Sequence, residues 1–127
     1  MKYLKVTFLL LLISNISYAQ DYQSKPELEN QITGSWHLEN SIQDRITFFK
    51  DGTVKRFVGD ELRYTGKYEI TKKCNGEKLL NEDYFLREIS ENGTSNCAYI
   101  ETINYNNNGY LSLMTKNQGK IIVYKRI

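Results

Sequence analysis

From residue 32 to the end of the chain, short runs rich in Tyr, Phe, Ile, Val and Thr recur, each cut off by Gly, Asn or Asp. This rhythm narrows the fold more than any other feature. The runs are too short for stable helices, and their residue types suit the pleated, half-buried surface of a sheet. The interruptions Asp51-Gly52, Glu91-Asn92-Gly93, Asn106-Asn107-Asn108-Gly109 and Asn117-Gln118-Gly119 are chemically fitted to chain reversal. About eight strands are predicted: Gly34–Asn40, Arg45–Lys50, Thr53–Val58, Leu62–Ile70, Tyr84–Ile89, Cys97–Asn104, Tyr110–Thr115 and Lys120–Arg126. Strands joined in sequence by short turns favour an up-and-down barrel, which removes both sheet edges.

Two local readings are sharp. Asp51-Gly52 predicts a two-residue type I′ hairpin between its flanking strands, because that turn needs positive φ at both central positions. From Leu62 to Ile70, the residues Leu62, Tyr64, Gly66, Tyr68 and Ile70 alternate with Arg63, Thr65, Lys67 and Glu69. One face of that strand is therefore apolar and the other solvated, with Gly66 marking a bend or bulge.

The N-terminus carries the parts of a secretory signal: Lys2 and Lys5, an apolar run from Val6 to Ile13, and small residues Ser17 and Ala19. Cleavage after Ala19 is expected, leaving 108 of the 127 residues, enough for one domain. Residues 20–31, QDYQSKPELENQ, read as a polar leader with at most a turn of helix after Ser24-Lys25-Pro26. The barrel domain then occupies residues 32–127. Its apolar runs are too short to span a bilayer, so no integral membrane segment is expected in the mature chain. Without Lys2 and Lys5, 15 of the 17 Lys and Arg remain against 15 Asp and Glu. A formally neutral domain offers no footprint for nucleic acid. The two cysteines, Cys74 and Cys97, predict a disulfide in an exported small domain. With His37 as the only histidine, no metal site is expected, and no cofactor either.

Ile32-Thr33-Gly34-Ser35-Trp36 places a Gly-x-Trp at the start of the first strand. It is followed by Ile46-Thr47-Phe48-Phe49-Lys50-Asp51-Gly52-Thr53, by Thr65-Gly66-Lys67-Tyr68, and by a close at Tyr124-Lys125-Arg126. In that order these stretches resemble the short lipocalin-like (calycin) domains of exported Bacteroidetes proteins. The resemblance implies an all-β, closed antiparallel barrel in which Trp36 plugs one end and Arg126 lies across its ring. It also implies a barrel whose interior is either just filled or holds one small ligand.

No nucleophile elbow, facing carboxylate pair or base-paired cysteine is legible, so no catalytic residues are assigned and a non-enzymatic role is expected. The candidate ligand-binding residues are Phe48, Tyr64, Tyr68 and Tyr99, with Arg56. The tyrosines present an apolar body and a polar tip, although plain packing is the more ordinary role for each. Arg56 shares a face with Val54 and Val58. Inward, it meets an anionic headgroup; outward, the commoner state, it is simply solvated. The leading expectation is a periplasmic or secreted protein holding a small apolar or amphipathic molecule. The alternative is a solid barrel facing a protein partner, such as a small exported inhibitor.

Overall fold

The computed structural model describes residues 22–127, so the signal segment and the cleavage site at Ala19 lie outside the described residues. A helix, α1 (Lys25–Ile32), precedes ten strands: β1 (Gly34–Leu38), β2 (Ser41–Phe48), β3 (Thr53–Val58), β4 (Glu61–Thr71), β5 (Lys73–Cys74), β6 (Glu77–Lys78), β7 (Phe85–Ser90), β8 (Ser95–Ile103), β9 (Tyr110–Thr115) and β10 (Ile121–Arg126). Eight of them form a closed antiparallel barrel in the order β1-β10-β9-β8-β7-β4-β3-β2, while β5 and β6 make a separate hairpin. Each barrel strand turns directly into the next except at β4 to β7, where the β5–β6 hairpin intervenes, and at β8 to β9, where a single 3-10 turn, Tyr105–Asn107, intervenes. This is the predicted all-β, up-and-down barrel with one disulfide, Cys74 to Cys97.

The segment expected to be a leader is a two-turn helix built into the core. The Ser24 hydroxyl accepts the Glu27 N–H at 3.3 Å, Pro26 sits in the first turn, and Thr33 bonds back to the Glu29 carbonyl at 3.2 Å. Leu28 and Ile32, four residues apart on one face, are buried under the barrel. Each is worth about 1.5–3 kcal/mol by the area it removes from water. Gln23 ties the start of the helix to β8, donating to the Ile103 carbonyl at 2.7 Å and accepting its N–H at 3.0 Å.

That helix closes one end. Trp36, wholly buried, donates its indole N–H to the Ile32 carbonyl at 2.9 Å. The Arg126 guanidinium lies 4.2 Å from the centre of the Trp36 ring and donates to the carbonyls of Thr33 and Gln31. Gly34 makes room for it. With φ at +128° and only 3.0 Å between an added Cβ and Arg126 Nη1, a larger residue here is strained and pushes the guanidinium off its seat. Thus the Gly-x-Trp spacing and the final Arg act as one unit, as the resemblance implies.

One turn assignment changes and one turn is new. Asp51 does not have positive φ; the Gly52 N–H bonds to the Phe49 carbonyl at 3.1 Å and the Phe49 N–H to the Thr53 carbonyl at 2.8 Å. The loop is therefore three residues, Lys50-Asp51-Gly52, with Gly52 alone at positive φ, a geometry that also gives the right-handed twist hairpins need. Asp51 accepts the Thr53 N–H at 2.9 Å, which holds its carboxyl below the usual range. The type I′ chemistry occurs instead at Asn75-Gly76, where both residues have positive φ between the paired Cys74 and Glu77.

Candidate functional site

Pleat alternation sorts the wall into lumen and outer faces. Gly34, Trp36 and Leu38 on β1, Ile46 and Phe48 on β2, and Val54 and Arg56 on β3 point inward, in register across the strands. On the far wall Leu86 and Glu88, Ala98 and Ile100, Leu111 and Leu113, and Ile122 and Tyr124 do the same. Filling is uneven along the axis. Towards α1, Trp36, Phe48, Ile70, Ile103 and Leu111 pack into a continuous buried core. At the opposite end the lumen opens into a cavity of 480 Å³, with Leu86, Ala98, Leu113 and Ile122 on its apolar side, Arg56, Glu88, Tyr124 and Lys116 at its border, and a rim of Asn, Ser, Thr and Gln side chains from the β7–β8 and β9–β10 ends. A second opening of 230 Å³, between Leu38, Phe57, Val58, Arg63 and Tyr64, meets the first across Arg56 and Tyr124.

Arg56 points inward, the less ordinary of the two expectations, because it is neutralised there. Its Nη2 donates to Glu88 Oε2 at 2.7 Å, its Nε to Oε1 at 3.3 Å, and its Nη1 to the Tyr124 hydroxyl at 3.4 Å. Burial works against the charged guanidinium, but the Glu88 carboxylate outweighs it and holds the arginine pKa above its ordinary value. The Arg56 side chain remains 39% exposed, and its three bonds leave two of its five N–H donors without a protein partner. Tyr64 stands beside it; burial, followed by the Glu88 charge, pushes its phenol pKa up, so its hydroxyl stays a donor at neutral pH.

Gly66 is explained by Tyr64 rather than by a bend. A Cβ here would collide with the Tyr64 ring, 2.8 Å from Cζ, and with the Ile89 carbonyl oxygen at 2.8 Å. Gly66→Ala is expected to cost about 1–3 kcal/mol by overpacking, read as a lower denaturation midpoint with an unchanged slope. A neutral outcome would show that Tyr64 is free to swing away.

The five candidate ligand residues are not brought together. Arg56 and Tyr64 sit at the open mouth. Phe48 and Tyr68 share the lumen face but belong to the filled half, Phe48 buried and Tyr68 half-buried at its edge, edge to face with centroids 5.0 Å apart, and the Tyr68 hydroxyl donates to the Phe49 carbonyl at 2.7 Å. Tyr99 is on the outer face, where it, Phe85 and the Cys74–Cys97 disulfide pack beneath the β5–β6 hairpin. The Tyr99 hydroxyl donates to Glu77, which pairs with Lys116 at 2.7 Å. Leu62 also leaves the lumen. Arg56 pairs with Tyr64 but Phe57 pairs with Leu62, so Arg63 is an extra residue that turns Leu62 to solvent, where it is 50% exposed. The residues that sequence reasoning missed are Glu88, Tyr124 and the apolar wall of β7 to β10. Their signal was alternation, Leu86 with Glu88 and Ile122 with Tyr124.

Among the described residues no helix is long and apolar enough to cross a membrane. Compared with known protein families, curated proteins and solved structures, the chain gives no match.

Proposed function

We propose that this protein is an exported, non-enzymatic barrel of the lipocalin-like kind that takes a small amphipathic molecule into its open mouth, with an anionic or strongly accepting end at Arg56. The observation that carries the reading is the 480 Å³ opening, where an apolar strip of Leu86, Leu113 and Ile122 inside a mostly polar rim ends at a guanidinium already held in place by Glu88. Its volume lies within the ~300–1,000 Å³ range of small-molecule sites, and its polar rim beside an apolar strip suits a molecule with one polar and one apolar end. An arginine clamped by one carboxylate loses little freedom on meeting a second acceptor. The occupied depth is shallow, since the α1 half of the lumen is filled by side chains.

Calorimetric titration with dodecanoate, compared with the uncharged dodecanol, tests it. Ala98→Phe, which projects bulk into the opening, should abolish uptake of both probes. The paired change Arg56→Gln/Glu88→Gln removes both charges without stranding one, and should weaken dodecanoate about tenfold while sparing dodecanol. Equal uptake by the Ala98→Phe protein would place the probe elsewhere and end the proposal.

One observation favours a second reading, a protein-facing role. Ile42, Val58, Leu62 and Ile121, all at the open rim, are exposed aliphatics on the arc from β10 to β4. Such a collar suits contact with a partner's surface. Loss of partner binding in an Ile42→Ser/Leu62→Ser protein that still takes up dodecanoate would favour it.

A further inference from the structure

The domain is neutral as a whole, yet its charges are not evenly spread. Within β10, β1, β2 and β3 the only acidic residue is Asp44. It alternates with Arg45 toward the lumen side and accepts the Ser41 hydroxyl at 2.7 Å. The outward side chains of the same strands include Lys125, His37, Arg45 and Lys55, and β4 adds Lys67. The register sets them in a line: Lys125 stands abreast of His37 and His37 of Arg45, Lys55 lies one outward position further along β3, and Lys67 opposite Thr53 lies one further again on β4. At about 4.8 Å between strands and 3.3 Å per residue along them, the stripe runs diagonally for roughly 20–25 Å. Among the described residues, none of Arg45, Lys55, Lys67 and Lys125 has an ion-pair partner, whereas Arg56, Arg63, Arg87 and Lys116 each do.

We infer that this outer face is a binding site for an acidic polysaccharide. A stripe one cation wide on the convex wall of a barrel fits a linear polyanion, because a flat bilayer would meet only part of it. The aromatic residues are already in use. Arg45 lies 5.1 Å from the Phe57 ring centre, Lys55 5.4 Å from Phe49 and Lys125 5.8 Å from Tyr110. These contacts splay and hold the cations, and each places a cation over a ring face on which a base of a single-stranded nucleic acid would otherwise stack. Between the cations stand hydroxyls at Ser35 and Thr47, bonded to each other at 2.8 Å, at Thr53, which accepts from Lys67 at 3.3 Å, and at Thr65; each has hydrogen-bonding capacity left for a polyhydroxylated chain. The ligand class is thus a linear glycan bearing carboxylate or sulfate groups, and apart from Arg45, which also lines the smaller opening, the stripe lies on the outer wall away from the barrel mouth.

The test titrates the whole protein with a polygalacturonate oligosaccharide long enough to span the stripe. Poly(dT) and phosphatidylglycerol vesicles are parallel probes. Binding is expected to weaken with salt and to fall about tenfold or more in Lys55→Glu/Lys67→Glu, the loss of two charge-assisted contacts. Lys25→Glu/Lys78→Glu, an equal charge change elsewhere on the surface, should leave it intact, and Lys55→Gln/Lys67→Gln should give an intermediate loss in a protein with an unchanged thermal transition. The inference is overturned if polygalacturonate does not bind or if the two charge reversals weaken it alike. Tighter binding of poly(dT) or the vesicles through the same lysines would also overturn it, assigning the face to that ligand.

Discussion

Replacing Trp36 with alanine lowers the stability of the domain by about 3–5 kcal/mol, the cost of emptying a large aromatic site that its neighbours cannot fill. That is a large share of the ~5–15 kcal/mol available to a small domain, so much of the variant is expected to be unfolded at physiological temperature. The indole is wholly buried, holds α1 through the Ile32 carbonyl, and carries Arg126 on its open face. Arg126→Ala is expected to cost less, about 1–2 kcal/mol, since the guanidinium also donates to two carbonyls of the α1–β1 junction. The two losses should not add, because without the ring Arg126 has nothing to stack upon. A double-mutant cycle in denaturant measures the coupling, and simple additivity would show that the ring and the guanidinium act apart.

Reduction of the disulfide has the next largest effect. Cys74 and Cys97 are 23 residues apart, and the chain-entropy account assigns a crosslink of that span roughly 3 kcal/mol. The bond also pins the β5–β6 hairpin over Phe85 and Tyr99 on the outer wall of β7 and β8. Reduction therefore both loosens the unfolded chain and frees the cover of an apolar cluster. The melting temperature should drop on the order of 10–20 °C in reductant, and amide exchange should rise first in residues 72–84. Superimposable melting curves with and without reductant would show that the hairpin stays seated on packing alone.

The sequence carried the eight barrel strands, the closure and the Trp36–Arg126 unit because these rest on local chemistry: turn residues, period-two alternation and one motif. It carried the candidate site only partly. Alternation assigns a side chain to a face but says nothing of its height along the barrel, so Phe48 and Tyr68 shared a face with Arg56 while lying in the filled half. It also fails where both faces of a strand are covered. On β8, Cys97 and Tyr99 pack under the β5–β6 hairpin while Ala98 and Ile100 face the lumen, and nothing local distinguishes the two sets. Leu62 was misassigned because a bulge belongs to a pair of strands rather than to either one. The partner of Arg56 is 32 residues away in sequence, visible only once β7 lies beside β4. The Asn75-Gly76 turn, by contrast, was written plainly; it was overlooked because the strands it joins are only two residues each.

The account stands on the mouth of the barrel being a place where a small molecule sits. Native mass spectrometry of the protein purified from its own host weighs that occupant directly, with the Ala98→Phe protein prepared in parallel. The expected spectrum shows the wild-type protein with a retained adduct small enough for the 480 Å³ opening, and the Ala98→Phe protein at its bare polypeptide mass. A bare mass for both proteins, or the same adduct on both, would contradict the claim.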